Sequence, residues 1–112
     1  MRPAAIFAIA LALGLPTATS AAAPRWTAFA DCAAAYQANA RLSDPDRPAS
    51  MTAMVSDVAN DYAKAAAQAS RRQGGASVAK VKQRIARQTA AFAGRPREEV
   101  ERFIDACPQL EN

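Results

Sequence analysis

The sequence predicts an all-α fold, a small bundle of about four short amphipathic helices stapled by one disulfide, on three observations. Apolar residues recur at spacings of three and four along four segments, with no strand-like alternation. Prolines and glycines punctuate the chain between those segments. The only two cysteines, Cys32 and Cys107, lie near opposite ends of the expected mature chain.

The opening residues read as an export address. Arg2 supplies a positive start, the stretch from Ala4 to Leu15 is uncharged and mostly apolar, and Gly14 and Pro16 break it before the small-residue tract Thr17 to Ala23. That order is the layout of a secretory signal peptide. The apolar run is too short for a membrane span, which needs about 20 such residues. Pro24 disfavours cleavage just before it, so the cut is expected after Ala21 or Ala22. Residues 1–22 are thus assigned as signal peptide and residues 23–112 as a single helical domain. No cysteine stands close enough behind the tract for lipid modification, and the expected product is a soluble periplasmic or secreted protein. Without Arg2 its net charge is about +3 with ordinary ionisation states.

Each helix has its own warrant. The first, from about Arg25 to Arg41, spaces Trp26, Phe29, Ala33, Tyr36 and Ala40 along one face, with Cys32 at its edge. The loop Ser43 to Pro48 holds two prolines and two aspartates and must stop it, with Asp46 or Ser50 expected to cap the next helix. The second helix, about Ala49 to Gln73, aligns Met51, Met54, Val55, Val58, Tyr62, Ala65 and Ala69, and these are expected in the core. Gly74 and Gly75 end it, because glycine accepts left-handed backbone at a helix terminus. The third, about Ser77 to Ala93, carries Val78, Val81, Ile85, Thr89 and Phe92 and stops at Gly94. Pro96 suits the first position of a fourth helix, where its missing N–H costs nothing. Glu98 and Glu99 sit in its positive first turn, Val100, Phe103, Ile104 and Cys107 share its inner face, and Pro108 closes it.

Export places the cysteines in an oxidising compartment, where the single possible intramolecular pair closes a loop of 75 positions. Such a closure is worth roughly 4 kcal/mol in the chain-entropy treatment. The core needs it: the protein has 31 alanines, but after residue 22 only 12 Leu, Ile, Val and Phe.

Several chemistries can be set aside. Histidine is absent, which removes the commonest general base and metal ligand. Met51 and Met54 lack further soft ligands, so they read as packing and no metal or other cofactor is expected. Asp44 with Asp46, and Glu98, Glu99 and Glu101, read as turn and helix-start residues, not as a catalytic pair across a cleft. No phosphate-binding glycine loop or haem-attachment motif is present. Trp26, Phe29 and Tyr36 lie on the core side and read as packing.

The most uneven feature is charge. From Arg71 to Arg97 the chain holds eight cations and no acid. Arg71, Arg72, Lys80, Arg84, Arg87, Arg95 and Arg97 are the candidate anion-binding residues, and Lys82 completes the run. On a helix, Lys80, Arg84 and Arg87 fall within about 60° of one another, opposite Val81 and Ile85. The partners this implies are an anionic lipid, lipopolysaccharide or an acidic protein surface. The plainer reading is a solvated face neutralised by Asp57, Asp61, Glu98, Glu99 or Glu101. Nucleic acid is not expected, since no aromatic residues interleave the cations.

In its export signal, size, helical pattern and single long-range cysteine pair the chain resembles small periplasmic helical proteins, the acid-stress chaperones among them. No motif matches theirs, so no functional residue is carried over. The expectation is a non-enzymatic exported protein that docks an anionic envelope component through a basic helix. The alternatives are a stress or chaperone-like protein that exposes apolar stripes, and an inhibitor of a secreted enzyme presenting the Ser43 to Pro48 loop.

Overall fold

The computed structural model describes residues 24–42 and 44–110. The signal peptide expected at 1–22 lies outside them. Four helices come in order: α1 (Trp26–Ala40), α2 (Ala49–Gln73), α3 (Val78–Ala93) and α4 (Arg97–Asp105), and no strand is present among the described residues. The chain therefore folds as the small helical bundle that the spacing predicts, with the Cys32–Cys107 disulfide formed.

Side-chain ties fix the directions of the helices. At one end of the bundle the Trp26 N–H donates to Gln73 Oε1, and the Gln73 amide donates to the Pro24 carbonyl, both at 3.0 Å. The start of α1 thus meets the end of α2, and the two run antiparallel. Arg84 binds Asp31, and Thr89 Oγ lies 3.1 Å from the Gln37 amide, so α3 runs parallel to α1. Helix α4 turns back along α1 until Cys107 reaches Cys32.

α1 is the central helix. Ala30, Cys32, Ala33, Ala34, Ala35, Ala38 and Asn39 are buried along with Phe29, nearly all round its circumference. Alanine permits this, because its short side chain lets neighbouring helices approach closely while favouring the helix itself. Two clusters share that seam. Phe29, Ala33, Tyr62, Ala66, Ala69 and Val81 form one, and Ala34, Ala35, Ala38, Phe92 and Val100 the other. Ring contacts fill the larger gaps: Tyr36 stacks on Tyr62 at 5.4 Å, and Phe92 meets Phe103 at 4.8 Å.

The connections differ from expectation in detail. Helix α2 is capped by Pro48 without a side-chain bond, and neither Asp46 nor Ser50 serves. Pro96 is the N-cap of α4, one position before the helix. The chain reverses at Gly74, whose φ of 65° is left-handed. Gly75 is needed for another reason: a Cβ there would stand 2.7 Å from Trp26 Nε1. Arg47 folds back so that its guanidinium donates to both the carbonyl and the side-chain oxygen of Asn39, at 2.9 Å each, completing the last turn of α1.

The largest correction concerns Met51 and Met54. Both are exposed, at 50% and 64%. The fifteen residues of α1 are matched by the last fifteen of α2, because Trp26 faces Gln73. The first ten residues of α2, Ala49 to Val58, include no fully buried side chain and extend about 15 Å past the end of α1. Val78, also expected in the core, is 54% exposed at the start of α3.

Tyr62 joins α2 to the chain after α4, its hydroxyl donating to the Pro108 carbonyl at 2.6 Å. Burial, with a smaller contribution from Tyr36, raises its pKa above the usual tyrosine value. Its contribution to stability is complete below about pH 10 and is lost as pH rises through the raised folded value. We expect tyrosinate absorbance from Tyr62 to appear together with loss of helicity in an alkaline titration, and Tyr62→Phe to separate the two.

Candidate functional site: a basic surface at one end of the bundle

Cations occur at both ends of the bundle, with Arg41, Arg47, Arg95 and Arg97 among acids at one end, and gather without them at the other. At the end where α1 begins and α2 turns into α3 stand Arg25, Arg71, Arg72, Lys80 and Lys82, all exposed. Between Asp61 and Glu98 the sequence holds no acid. Asp31, on the second turn of α1, is already taken: its carboxylate accepts from Arg84 Nε and NH2 at 2.8 and 2.9 Å, and from the Gln88 amide at 3.2 Å. Toward the opposite end lie Asp44, Asp46, Asp57, Asp61, Glu98, Glu99 and Glu101.

The seven candidate cations therefore separate into two groups. Arg84 lies within the bundle wall, its side chain 29% exposed and paired to Asp31 in a two-pronged bond. Arg97 ties α4 to the loop between α1 and α2 through Asp44 and to its own helix through Glu101, each at 3.2 Å. Asp44 also accepts the Asp46 N–H, and that bond, then Arg97, hold its carboxyl below the usual range. Arg95 lies over the Phe92 ring, 4.9 Å from its centre. Arg71, Arg72, Lys80 and Arg87 are exposed, and none forms an ion pair among the described residues.

The partners that neutralise Arg84 and Arg97 include Asp31 and Asp44, which sequence spacing does not suggest. Of the acids expected in that role only Glu101 pairs, and Asp57 and Asp61 do not among the described residues.

Between α2 and α3 a wide, open groove of about 770 Å³ is lined by Ser70, Arg71, Gly74, Gly75, Ser77 and Lys80, among others. Its floor is held shut, since the buried Ser70 hydroxyl donates to the Ala76 carbonyl. Ser77 caps α3 by accepting the Lys80 N–H. The rim thus combines two cations with the positive end of a helix. Arg71 and Lys80 flank it from the two helices, so the arrangement suits attraction of negative charge.

No helix among the described residues is long and apolar enough to cross a membrane, and no cluster of three or more His, Cys, Asp or Glu that could hold a metal ion occurs among them. Compared with known protein families, curated proteins and solved structures, the chain matches none.

Proposed function

We propose that this protein is an exported, non-enzymatic accessory that docks on an anionic component of the cell envelope through its free cations, Arg71, Arg72 and Lys80 at the basic end and Arg87 further along α3. The observation supporting this is that Arg71, Arg72, Lys80 and Arg87 stay exposed without acidic partners among the described residues, while Arg84 and Arg97 are spent within the fold. A surface carrying several exposed like charges attracts oppositely charged partners over about a Debye length. A disulfide that joins the first helix to the segment after the last fits an oxidising, periplasmic or secreted setting.

Co-sedimentation with vesicles rich in phosphatidylglycerol tests the reading. Binding is expected at low salt, falling at least tenfold in Arg71→Gln/Arg72→Gln or Lys80→Gln/Arg87→Gln, and falling again as salt shortens the reach of the charges. Arg84→Gln, with helicity checked by circular dichroism, should bind within about twofold of the parent, because a paired guanidinium adds little to the external field. Binding that ignores salt, or that depends on Arg84 as much as on Lys80 and Arg87, overturns the proposal.

A further inference from the structure

Two apolar side chains stand among the cations of the basic end. Trp26 opens α1, partly exposed, with its indole against the α2–α3 turn, where a Cβ on Gly75 would meet it. Val78 opens α3 just beyond that turn and is 54% exposed. Arg25, Arg71, Arg72, Lys80 and Lys82 flank them, all exposed. Because α1 and α3 run parallel and α2 ends where they begin, these cations lie within about 6 Å of the same tip, measured along the helices. The turn itself, Gly74 to Ser77, is small and uncharged. Asp31, on the second turn of α1, is bound by Arg84.

We propose that this end seats on the surface of an anionic phospholipid bilayer, with the bundle axis steep to the plane, the Trp26 indole and Val78 among the headgroups and the five cations on the phosphates. The inference rests on the envelope-docking reading and narrows its partner to lipid. A soluble polyanion or an acidic protein surface needs the cations alone, whereas the boundary of a bilayer also takes the apolar pair. An indole suits that boundary, since its ring is apolar and its N–H polar, and tryptophan concentrates there. Lysine and arginine extend along their own apolar stems, which brings their charges to the phosphates while the helices stay above. Several cations near an anionic leaflet add their attraction.

The path of the chain supports the same orientation. Pro24 is tied to Gln73 at this end, so residues 1–22, read above as an export signal, join the fold here. While that signal is attached in the membrane, it presents this end to the bilayer. The other exposed large hydrophobics among the described residues, Met51 and Met54, are at the opposite end. There Asp44, Asp46 and Asp57 stand among the cations and weaken attraction to an anionic surface.

Trp26 is the one tryptophan of the chain, so the fluorescence of the exported protein reports on this end without a label. With phosphatidylglycerol vesicles brominated near the headgroup end of the acyl chains, its emission should be quenched by about half, and acrylamide in the water should quench it about threefold less than in the free protein. Val78→Asn, which leaves the charge unchanged, should bind these vesicles about fivefold more weakly, as expected for one apolar side chain partly withdrawn from water. Val78→Leu should bind at least as well as the parent. Met51→Asn/Met54→Asn should bind within about twofold of it. All these positions are at the surface, and circular dichroism confirms the helices of each variant. Salt-dependent binding that leaves Trp26 untouched by bromine and open to acrylamide overturns the proposal and leaves envelope docking standing on the cations alone. Absence of binding at low salt, or binding that ignores salt, removes the docking reading and this proposal together. Parent-like binding by Val78→Asn, or its loss in the methionine variant, overturns the proposal as well.

Discussion

Replacing both cysteines with serine is expected to lower the unfolding free energy by about 4 kcal/mol, the entropy cost of closing a loop of this length in the unfolded chain. The structure adds a reason to expect the full effect. Helix α4 has only nine residues, and it is held on α1 by Val100, Phe103, Ile104, the Tyr62–Pro108 bond and the disulfide. A helix of that length does not persist in water without tertiary packing. Small domains have total stabilities of roughly 5–15 kcal/mol, so the loss takes a large share. In urea the midpoint should fall steeply for Cys32→Ser/Cys107→Ser, and reductant should move the parent to the same midpoint. Equal midpoints with and without the bond would show that packing alone holds the last helix.

Phe92→Ala is expected to cost about 3–5 kcal/mol, the range for truncating a buried phenylalanine. Phe92 is 3% exposed, fits between Ala34, Ala35, Ala38 and Val100, and meets the Phe103 ring. Its neighbours on α1 are alanines, which cannot extend to fill the space, so the cavity should persist. The ring also supports Arg95 and the packing of α4. Phe92→Leu, which keeps most of the volume, should recover more than half of the lost melting temperature. If Phe92→Ala melts within a few degrees of the parent, the second cluster contributes little to the fold.

Much of the architecture is legible in the sequence because local rules and tertiary needs agree here. Pro48, Gly74, Gly94 and Pro96 lie at the helix boundaries, and the number of helices comes from them. The central position of α1 is harder to see. Alanine counts as apolar on every side of a helix, so a segment with Ala30, Ala33, Ala34, Ala35 and Ala38 gives a blurred periodicity, and the face through Phe29 and Tyr36 is only part of what is buried. Met51 and Met54 continue the stripe of Val58 and Tyr62, but burial depends on whether a neighbour extends that far, and α1 does not. The basic run is legible as composition. Which of its members are free is not, because Asp31 lies 53 residues from Arg84 and becomes its neighbour only when α1 and α3 align in parallel. For Arg97 the partner in its own helix, Glu101, is within view of the sequence, and the partner in the loop, Asp44, is not.

The distance between the two sulfurs along the chain also orders events in time. Synthesis proceeds from the amino end, so Cys32 is made first and must wait through 75 further positions before Cys107 exists. Any product truncated before that point lacks the bond, and oxidation becomes a record that synthesis has passed Cys107. Pulse labelling with a thiol-reactive tag should accordingly find no internally crosslinked nascent chains that end before Cys107.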